Sequence, residues 1–152
     1  MKRWWPDLPV WKLWKAQLYQ ESRLDPAAVS PAGARGLAQF MPATWADVAR
    51  KLDLKGSPHD EIAIDAGAYY MAKLRAAWRR DRSPQERNQL AQASYNPGMG
   101  NILKAQAYCG GARDWRAVRT CLPLVTGAGH AQETITYVAR IERWWRKMEL
   151  AP

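Results

Sequence analysis

The sequence predicts a mainly α protein, and three observations support that class. Apolar residues recur every three or four positions along several long segments, which is the spacing of one helical face. No segment of useful length alternates apolar and polar residues as a half-buried strand does. Pro and Gly separate the helical segments. The 152 residues contain no internal repeat, so we expect one domain, residues 1–152, with a core of its own.

The predicted helices follow one another with turns between them. An extended, Pro-interrupted arm is expected at 1–9, and the first helix runs from residue 10 to about 22, before Pro26. Ser83 and Glu86 have the spacing of a capping box, which marks a helix start. The remaining predicted elements are helices at 44–52, 60–80, 84–94, 101–108, 114–121 and 132–149, a helical turn at 37–41, and loops at 27–36 and 122–130.

The charge of the chain favours a polyanionic partner. There are 23 Lys and Arg against 14 Asp and Glu, which gives a net charge of +9 at pH 7. Nucleic acid fits such a charge, and so does a bacterial envelope with its anionic polymers, lipids and peptide carboxylates. The composition alone does not choose between these two partners.

Cysteine and histidine are scarce in this chain. Cys109 and Cys121 flank a Gly-rich stretch at a spacing that permits a disulfide, which would stabilise the fold by about 3 kcal/mol in the chain-entropy model. Such a bond forms in an oxidising compartment, and two free, half-buried thiols are an equally open alternative. His59 and His130 stand alone, so we expect no metal and no other cofactor.

Glu21 is the first candidate for chemistry. It closes the first predicted helix and continues a mostly apolar face formed by Leu18, Gln17, Trp14 and Val10. A carboxyl group against apolar neighbours has a raised pKa and holds a proton near neutral pH, as a general acid must. The alternative is a helix-terminal Glu that lies in solvent.

Three sequence blocks resemble the soluble lytic transglycosylase family, relatives of goose-type lysozyme. The first begins with Glu21-Ser22 and continues at residues 30–44 as SPAGARGLAQFMPAT. The second is ASYNPGMG at 93–100 and the third is ETITYV at 133–138. Two departures are small: Ala38 stands where the family often has Met, and Asp25 where a polar amide is common.

The resemblance implies a lysozyme-like fold with a substrate cleft between helices and a known reaction on peptidoglycan. Glu21 would protonate the β-1,4 oxygen between N-acetylmuramic acid and N-acetylglucosamine. The resulting carboxylate would then take the proton from the muramic C6 hydroxyl, which closes a 1,6-anhydro ring. Tyr95 would hydrogen-bond near the catalytic carboxyl and stabilise oxocarbenium-like charge. Glycoside hydrolysis usually needs two carboxylates, whereas this reaction needs one.

The resemblance also implies binding residues. Ser22 is expected to fix local structure, and for Ser30, Met41 and Tyr137 a structural role is as open as substrate contact. Glu133 and Tyr137 lie on the edge of the apolar stripe of the last helix. The expected substrate-binding residues are Ser30, Gln39, Met41, Asn96, Glu133 and Tyr137.

Two alternatives belong to other functional classes. If Glu133 or Asp25 held a water in the cleft, the enzyme would be a hydrolysing muramidase on the same fold. A non-catalytic module would bind peptidoglycan or nucleic acid through its basic surface and its Trp residues. No motif resembles a nucleic-acid reader, so we expect no nucleic-acid partner. We expect a monomer that acts on peptidoglycan strands. An anionic envelope surface is a further candidate partner.

The start of the chain suggests a location. Pro6, Asp7 and Pro9 interrupt any apolar core of a secretory signal, and no run is long enough to span a membrane. We therefore expect a bacteriophage endolysin that passes from the host cytoplasm to the periplasm through holin lesions, or one carried in the virion. An export sequence removed from the chain is the open alternative.

Overall fold

A computed structural model describes Trp4 and residues 11–150, and these residues form eight helices joined by turns and isolated bridge pairs. This confirms the prediction of a mainly α protein. The arm expected at 1–9 lies outside the described residues, apart from Trp4. The helices are α1 Trp11–Ser22, α2 Pro42–Leu52, α3 Ile62–Ala77, α4 Pro84–Tyr95, α5 Met99–Tyr108, α6 Trp115–Cys121, α7 Pro123–Thr126 and α8 Ala128–Leu150.

The chain divides into two compact units. The first unit comprises Met1–Tyr70 and Ile141–Pro152, and the second comprises Met71–Arg140. None of the described helices combines the length and the apolar character that crossing a membrane requires.

The core of the first unit is built around Trp14. Its indole is buried, and Nε1 donates a hydrogen bond to the Ile64 carbonyl oxygen at 3.1 Å. Gly67 lies against this ring, since an added Cβ would be 2.6 Å from a ring carbon of Trp14. Phe40 packs edge-on against Trp45, with ring centroids 5.4 Å apart. The absence of a side chain at Gly67 therefore leaves room for the Trp14 ring in this core.

The core of the second unit is built around Trp78. Its Nε1 donates to the buried Ser94 hydroxyl at 3.2 Å, and that hydroxyl donates to the Leu90 carbonyl oxygen at 2.7 Å. Helix α5 packs on α4, α6 and α7. The buried apolar residues of this unit are Met71, Leu74, Trp78, Leu90, Ala91, Ala93, Ile102, Ala105, Trp115, Val118, Leu122, Ala131, Tyr137 and Val138.

Most predicted helix ends agree with the structure. The capping box is present, because the Ser83 hydroxyl accepts from the Glu86 N–H while the Glu86 carboxylate accepts from the Ser83 N–H. Asp114 caps α6 by accepting from the Ala117 N–H at 2.8 Å. These short-range patterns need only local sequence.

The loop predicted at 122–130 is wrong. The structure has α7 there, and α8 begins at Ala128 rather than at residue 132. Pro123 fits the first turn of α7 because it needs no N–H there. Of the two glycines that suggested a loop, only Gly127, with φ 81°, leaves the helical region; Gly129 is helical.

Cys109 and Cys121 form a disulfide. It joins the residue that follows α5 to the last residue of α6. The structure thus decides between the two alternatives that the sequence left open.

Candidate functional site

Glu21 lies in the last turn of α1 and is half-buried. The face predicted to precede it is buried, since Trp14, Gln17 and Leu18 are all nearly inaccessible to solvent. After Ser22 the chain leaves the helix through two left-handed residues, one of them Arg23 with φ 59°. The carboxylate thus stands where an apolar helix face meets a loop.

Ser22 ties the end of α1 to the following loop. Its buried hydroxyl lies 2.9 Å from the Leu37 carbonyl oxygen and 3.3 Å from the Leu18 carbonyl oxygen. A hydroxyl proton shared between two carbonyl groups in the interior has a structural role. This agrees with the expectation that Ser22 fixes local structure.

Ser30 stabilises a turn inside the loop. Its N–H donates to the Ala34 carbonyl oxygen at 2.9 Å, and its hydroxyl accepts from the Ala34 N–H at 3.0 Å. Gly36, with φ 73°, approaches the backbone so closely that a Cβ would lie 1.7 Å from the Pro58 carbonyl oxygen. Only glycine fits there, which explains one of the glycines in the motif.

Gln39 holds the loop from within. It has a left-handed backbone, with φ 47°, and its Nε2 donates to the carbonyl oxygens of Gly36 at 2.9 Å and Ala28 at 3.3 Å. The side-chain Oε1 is then the atom with which Gln39 would meet a ligand. Met41, at the start of α2, is 44% exposed.

Asp25 has a local partner as well. Its Oδ1 accepts from the Ala27 N–H at 2.8 Å, the geometry of an Asx turn. The carboxylate is exposed and shapes the chain reversal after α1. This turn accounts for a carboxylate at this position without a role in holding water.

The second unit contains an open cavity of about 390 Å³, lined by α5, α7, α8 and the two residues that follow α4. Two of the predicted binding residues, Asn96 and Glu133, lie in its wall. Tyr95, the last residue of α4, is half-buried. The lining residues are Asn96, Pro97, Asn101, Val125, Thr126, His130, Glu133 and Thr134.

Asn96 is held in place by α8. Its Oδ1 accepts from the Thr134 hydroxyl at 3.0 Å, and that hydroxyl also lies 3.1 Å from the His130 carbonyl oxygen. Thr134 is completely buried. Sequence reasoning did not single out Thr134 as a positioning residue, although it directly follows Glu133 in the motif.

Glu133 is an exposed carboxylate with a histidine beside it. Its side chain is 72% exposed, and Oε2 lies 3.3 Å from His130 Nδ1. The two residues are one helical turn apart, a spacing visible in the sequence although His130 was not selected there. We expected both Glu133 and Tyr137 on the edge of the stripe; Tyr137 is instead buried, with 6% exposure.

Among residues 11–150, no group of His, Cys, Asp or Glu is arranged to hold a metal ion.

The sequence of this chain is similar to those of known transglycosylases. The family model described as "Transglycosylase SLT domain" matches residues 10–118, which include the first two sequence blocks. Membrane-bound lytic murein transglycosylase F of Photobacterium profundum is 31% identical, over 91% of this chain and 29% of the relative. The same-named protein of Alcanivorax borkumensis is 31% identical, over 89% of this chain and 31% of the relative. The chain thus spans about three tenths of these relatives.

Solved structures show the same fold. The 70 kDa soluble lytic transglycosylase of Escherichia coli superposes with a TM-score of 0.67 at 25% identity, over 94% of this chain and 23% of that one. A 70 kDa soluble lytic transglycosylase in complex with bulgecin A superposes with a TM-score of 0.69 at 24% identity, over 99% of this chain and 24% of that one. These superpositions confirm the predicted lysozyme-like fold class.

Proposed function

Because this chain belongs to the transglycosylase SLT domain family, we propose that it is a peptidoglycan lytic transglycosylase. The observation that carries the proposal is the position of Glu21. Glu21 lies at the end of a buried helix face, and the hydrogen bond from the neighbouring Ser22 hydroxyl to the Leu37 carbonyl oxygen ties this end of α1 to the loop between α1 and α2. A general acid needs a fixed position and a partly apolar setting, and this junction supplies both.

In the proposed reaction Glu21 acts twice. The protonated carboxyl donates its proton to the oxygen between N-acetylmuramic acid and N-acetylglucosamine as the glycosidic bond breaks. The carboxylate then removes the proton from the muramic C6 hydroxyl, whose oxygen bonds to C1 and closes the 1,6-anhydro ring. The proton count balances and no water is consumed, so a second carboxylate is not required.

The second unit supplies the proposed supporting groups. Tyr95 is proposed, from its place in the second motif, to stabilise the positive charge that develops on the sugar. Asn96 is held by Thr134, so its amide is preorganised for a polar group of the substrate. Glu133 offers an exposed carboxylate in the same cavity wall, suited to hydroxyl or amide donors of the glycan or its peptide. Bulgecin A, bound by one of the structural neighbours, is a ligand to test for binding to this chain.

Mass spectrometry of the muropeptides released from purified peptidoglycan tests the proposal directly. Transglycosylation yields products lighter by one water, with no reducing muramic end. Hydrated, reducing products would instead identify a muramidase, and attention would turn to Glu133 because Asp25 is occupied in its turn. No released product from the folded protein would refute both enzymatic hypotheses and favour a binding module.

We also propose that the protein acts as a bacteriophage endolysin, in the periplasm after passage through holin lesions or carried in the virion. The net charge of +9 suits an anionic envelope, and the Cys109–Cys121 disulfide suits an oxidising compartment. Expression in a host with and without a holin tests this role. Lysis that depends on the holin supports it, and rapid lysis without any holin contradicts it.

A further inference from the structure

The last part of α8 contacts the end of α1, and both segments belong to the first unit. The contact is made by Trp144, which is half-buried. Its ring meets the ring of Tyr19 edge-on, with the two centroids 4.9 Å apart. Its Nε1 donates a hydrogen bond to the side-chain Oε1 of Gln20 at 3.3 Å, so residues 124 positions apart in the sequence are joined directly.

Arg23 extends this contact beyond the last residue of α1. Its guanidinium carbon lies 4.8 Å from the centroid of the Tyr19 ring and 5.2 Å from the centroid of the Trp144 ring. Cations are attracted to the faces of aromatic rings. The side chain is exposed, and in the described part of the chain it forms no ion pair. The two rings are therefore the groups that hold this guanidinium in place.

Glu21 lies within the turn that Trp144 contacts. Tyr19 and Gln20 directly precede Glu21, and Arg23 follows it by two positions. The backbone of the turn closes with a hydrogen bond from the Arg23 N–H to the Tyr19 carbonyl oxygen at 3.0 Å. Trp144 thus contacts the chain on both sides of the proposed acid.

Two parts of the first unit hold this turn. The Ser22 hydroxyl bonds to the Leu37 carbonyl oxygen in the loop that follows α1, at 2.9 Å, and Trp144 holds the turn from α8. Helix ends fray readily, so a carboxylate in a last turn keeps its position only when tertiary contacts fix that turn. The contact with α8 is therefore half of what fixes the backbone that carries Glu21.

We propose that Trp144 is a positioning residue for Glu21. The proposal rests on the proposed function, in which the Glu21 carboxyl must reach the glycosidic oxygen and then the muramic C6 hydroxyl. Proton transfer needs heavy-atom distances of about 2.6–3.2 Å, and a displacement of about 1 Å is able to cost roughly 100-fold in rate. Trp144 acts through Tyr19 and Gln20 rather than on the substrate. It lies beyond residues 10–118, which the family model matches, so the family resemblance does not assign this role.

The test compares W144L with W145L. Trp145 is the matched control because it is the next residue of α8, is also half-buried, and donates from its Nε1 to Glu149 on its own helix at 3.2 Å. In W144L we expect kcat for glycan cleavage, per folded molecule, to fall by at least about tenfold while KM stays within about twofold. W145L should keep the wild-type kcat. A merely structural role of Trp144 would lower the unfolding temperature and leave the kcat of the folded molecules unchanged.

The variants W144F and Q20M isolate the hydrogen bond and provide milder changes in case W144L does not fold. Each removes one partner of the bond between Trp144 Nε1 and Gln20 Oε1 and keeps a side chain of similar shape. We expect each to lower kcat by about two- to tenfold, the rate equivalent of one hydrogen bond. The double variant should lose no more than either single variant, because both act through the same bond. Losses that multiply in the double variant would contradict this coupling.

The carboxyl-carbon NMR signal of Glu21 gives a readout that does not depend on catalysis. The signal is identified by its absence from the Glu21→Gln protein. It should shift or broaden in W144L and stay unchanged in W145L. An unchanged signal in W144L, or equal losses of kcat in W144L and W145L, would overturn the proposal. If the wild type released no product, the proposed function would fail, and the carboxyl signal would still decide whether Trp144 positions Glu21.

Discussion

The Ser22 hydroxyl lies 2.9 Å from the Leu37 carbonyl oxygen, so the last residue of α1 is joined to the loop that follows it. The residue before this contact is Glu21, the proposed acid. Because one residue provides the contact and its neighbour provides the carboxylate, substitutions at positions 21 and 22 separate chemistry from structure.

Glu21→Gln should abolish most of the activity and leave the fold intact. The amide has nearly the same shape but neither donates a proton as an acid nor accepts one as a base, so we expect a loss of at least about 100-fold in turnover. The rate of muropeptide release is the measurement, with the unfolding temperature as a check. Glu61→Gln, at an exposed position of the same unit, is the matched control. A Glu21→Gln protein that clears peptidoglycan at the wild-type rate would exclude Glu21 as the acid.

Ser22→Ala should act mainly on stability. The buried Leu37 carbonyl group loses its hydroxyl donor, which we expect to lower the free energy of unfolding by about 1–3 kcal/mol. Urea unfolding measures this change. A variant as stable as the wild type would show that water or another donor replaces the hydroxyl at no cost.

Gly67→Ala should destabilise the first unit because the site is full. The new Cβ would lie 2.6 Å from a Trp14 ring atom and 3.1 Å from Ala38 Cβ, so we expect a cost of about 1–3 kcal/mol. Gly129→Ala is the control, since Gly129 is helical and a Cβ there meets nothing within 4 Å. That change should be neutral or stabilise by up to about 1 kcal/mol. Equal effects of the two substitutions in urea unfolding would contradict the close packing of Gly67 on Trp14.

Local patterns in this sequence were sufficient to predict most of the helices, but not α7 or the start of α8. The buried face of α1 follows from the spacing of Trp14 and Leu18, and the start of α4 follows from the capping box of Ser83 and Glu86. Both depend on residues within two turns of one another. The error near Gly129 arose because a helical glycine and a turn glycine look alike in sequence.

The contacts that organise the candidate site depend on tertiary structure instead. Gln39 was expected to contact the sugar, yet its Nε2 donates a hydrogen bond to the Gly36 carbonyl oxygen within the loop. The backbone of Gln39 is left-handed, and no local sequence pattern predicted that conformation. Asn96 and Thr134 are 38 residues apart, so no local pattern could reveal their hydrogen bond. The fold brings such distant residues together, and the spacing of residues within a motif does not predict which of them meet.

The disulfide leads to a prediction about redox state. Cys109 and Cys121 should not react with thiol reagents in the native protein until a reductant is added. Replacing both with Ser should lower the free energy of unfolding by about 3 kcal/mol, because the unfolded chain regains the freedom of the closed loop. Mass spectrometry after alkylation gives the first result and urea unfolding the second. Immediate labelling of both thiols in protein purified under oxidising conditions would contradict the bond.

Tyr70 should make stability fall at alkaline pH. Burial, with a smaller contribution from the charge of Asp47, raises the pKa of its phenol above the ordinary value of 10.0. Asp47 keeps its charge at this pH, since hydrogen bonds from Arg50 and then Lys51 lower the pKa of its carboxyl group. Below about pH 10 the phenol is protonated in both folded and unfolded protein, so it adds no pH dependence. Above that pH the unfolded chain ionises first, and the stability contributed by Tyr70 is lost as pH rises through the folded pKa.

Tyr70→Phe should therefore flatten the decline in the free energy of unfolding above about pH 10, because the replaced ring no longer ionises in either state. Tyr108→Phe is the control, since that residue is 66% exposed and meets nearly the same solvent in the folded and unfolded chain. Urea unfolding at several alkaline pH values measures both slopes. If the two variants and the wild type declined in parallel, burial of the Tyr70 phenol would have no part in the alkaline instability.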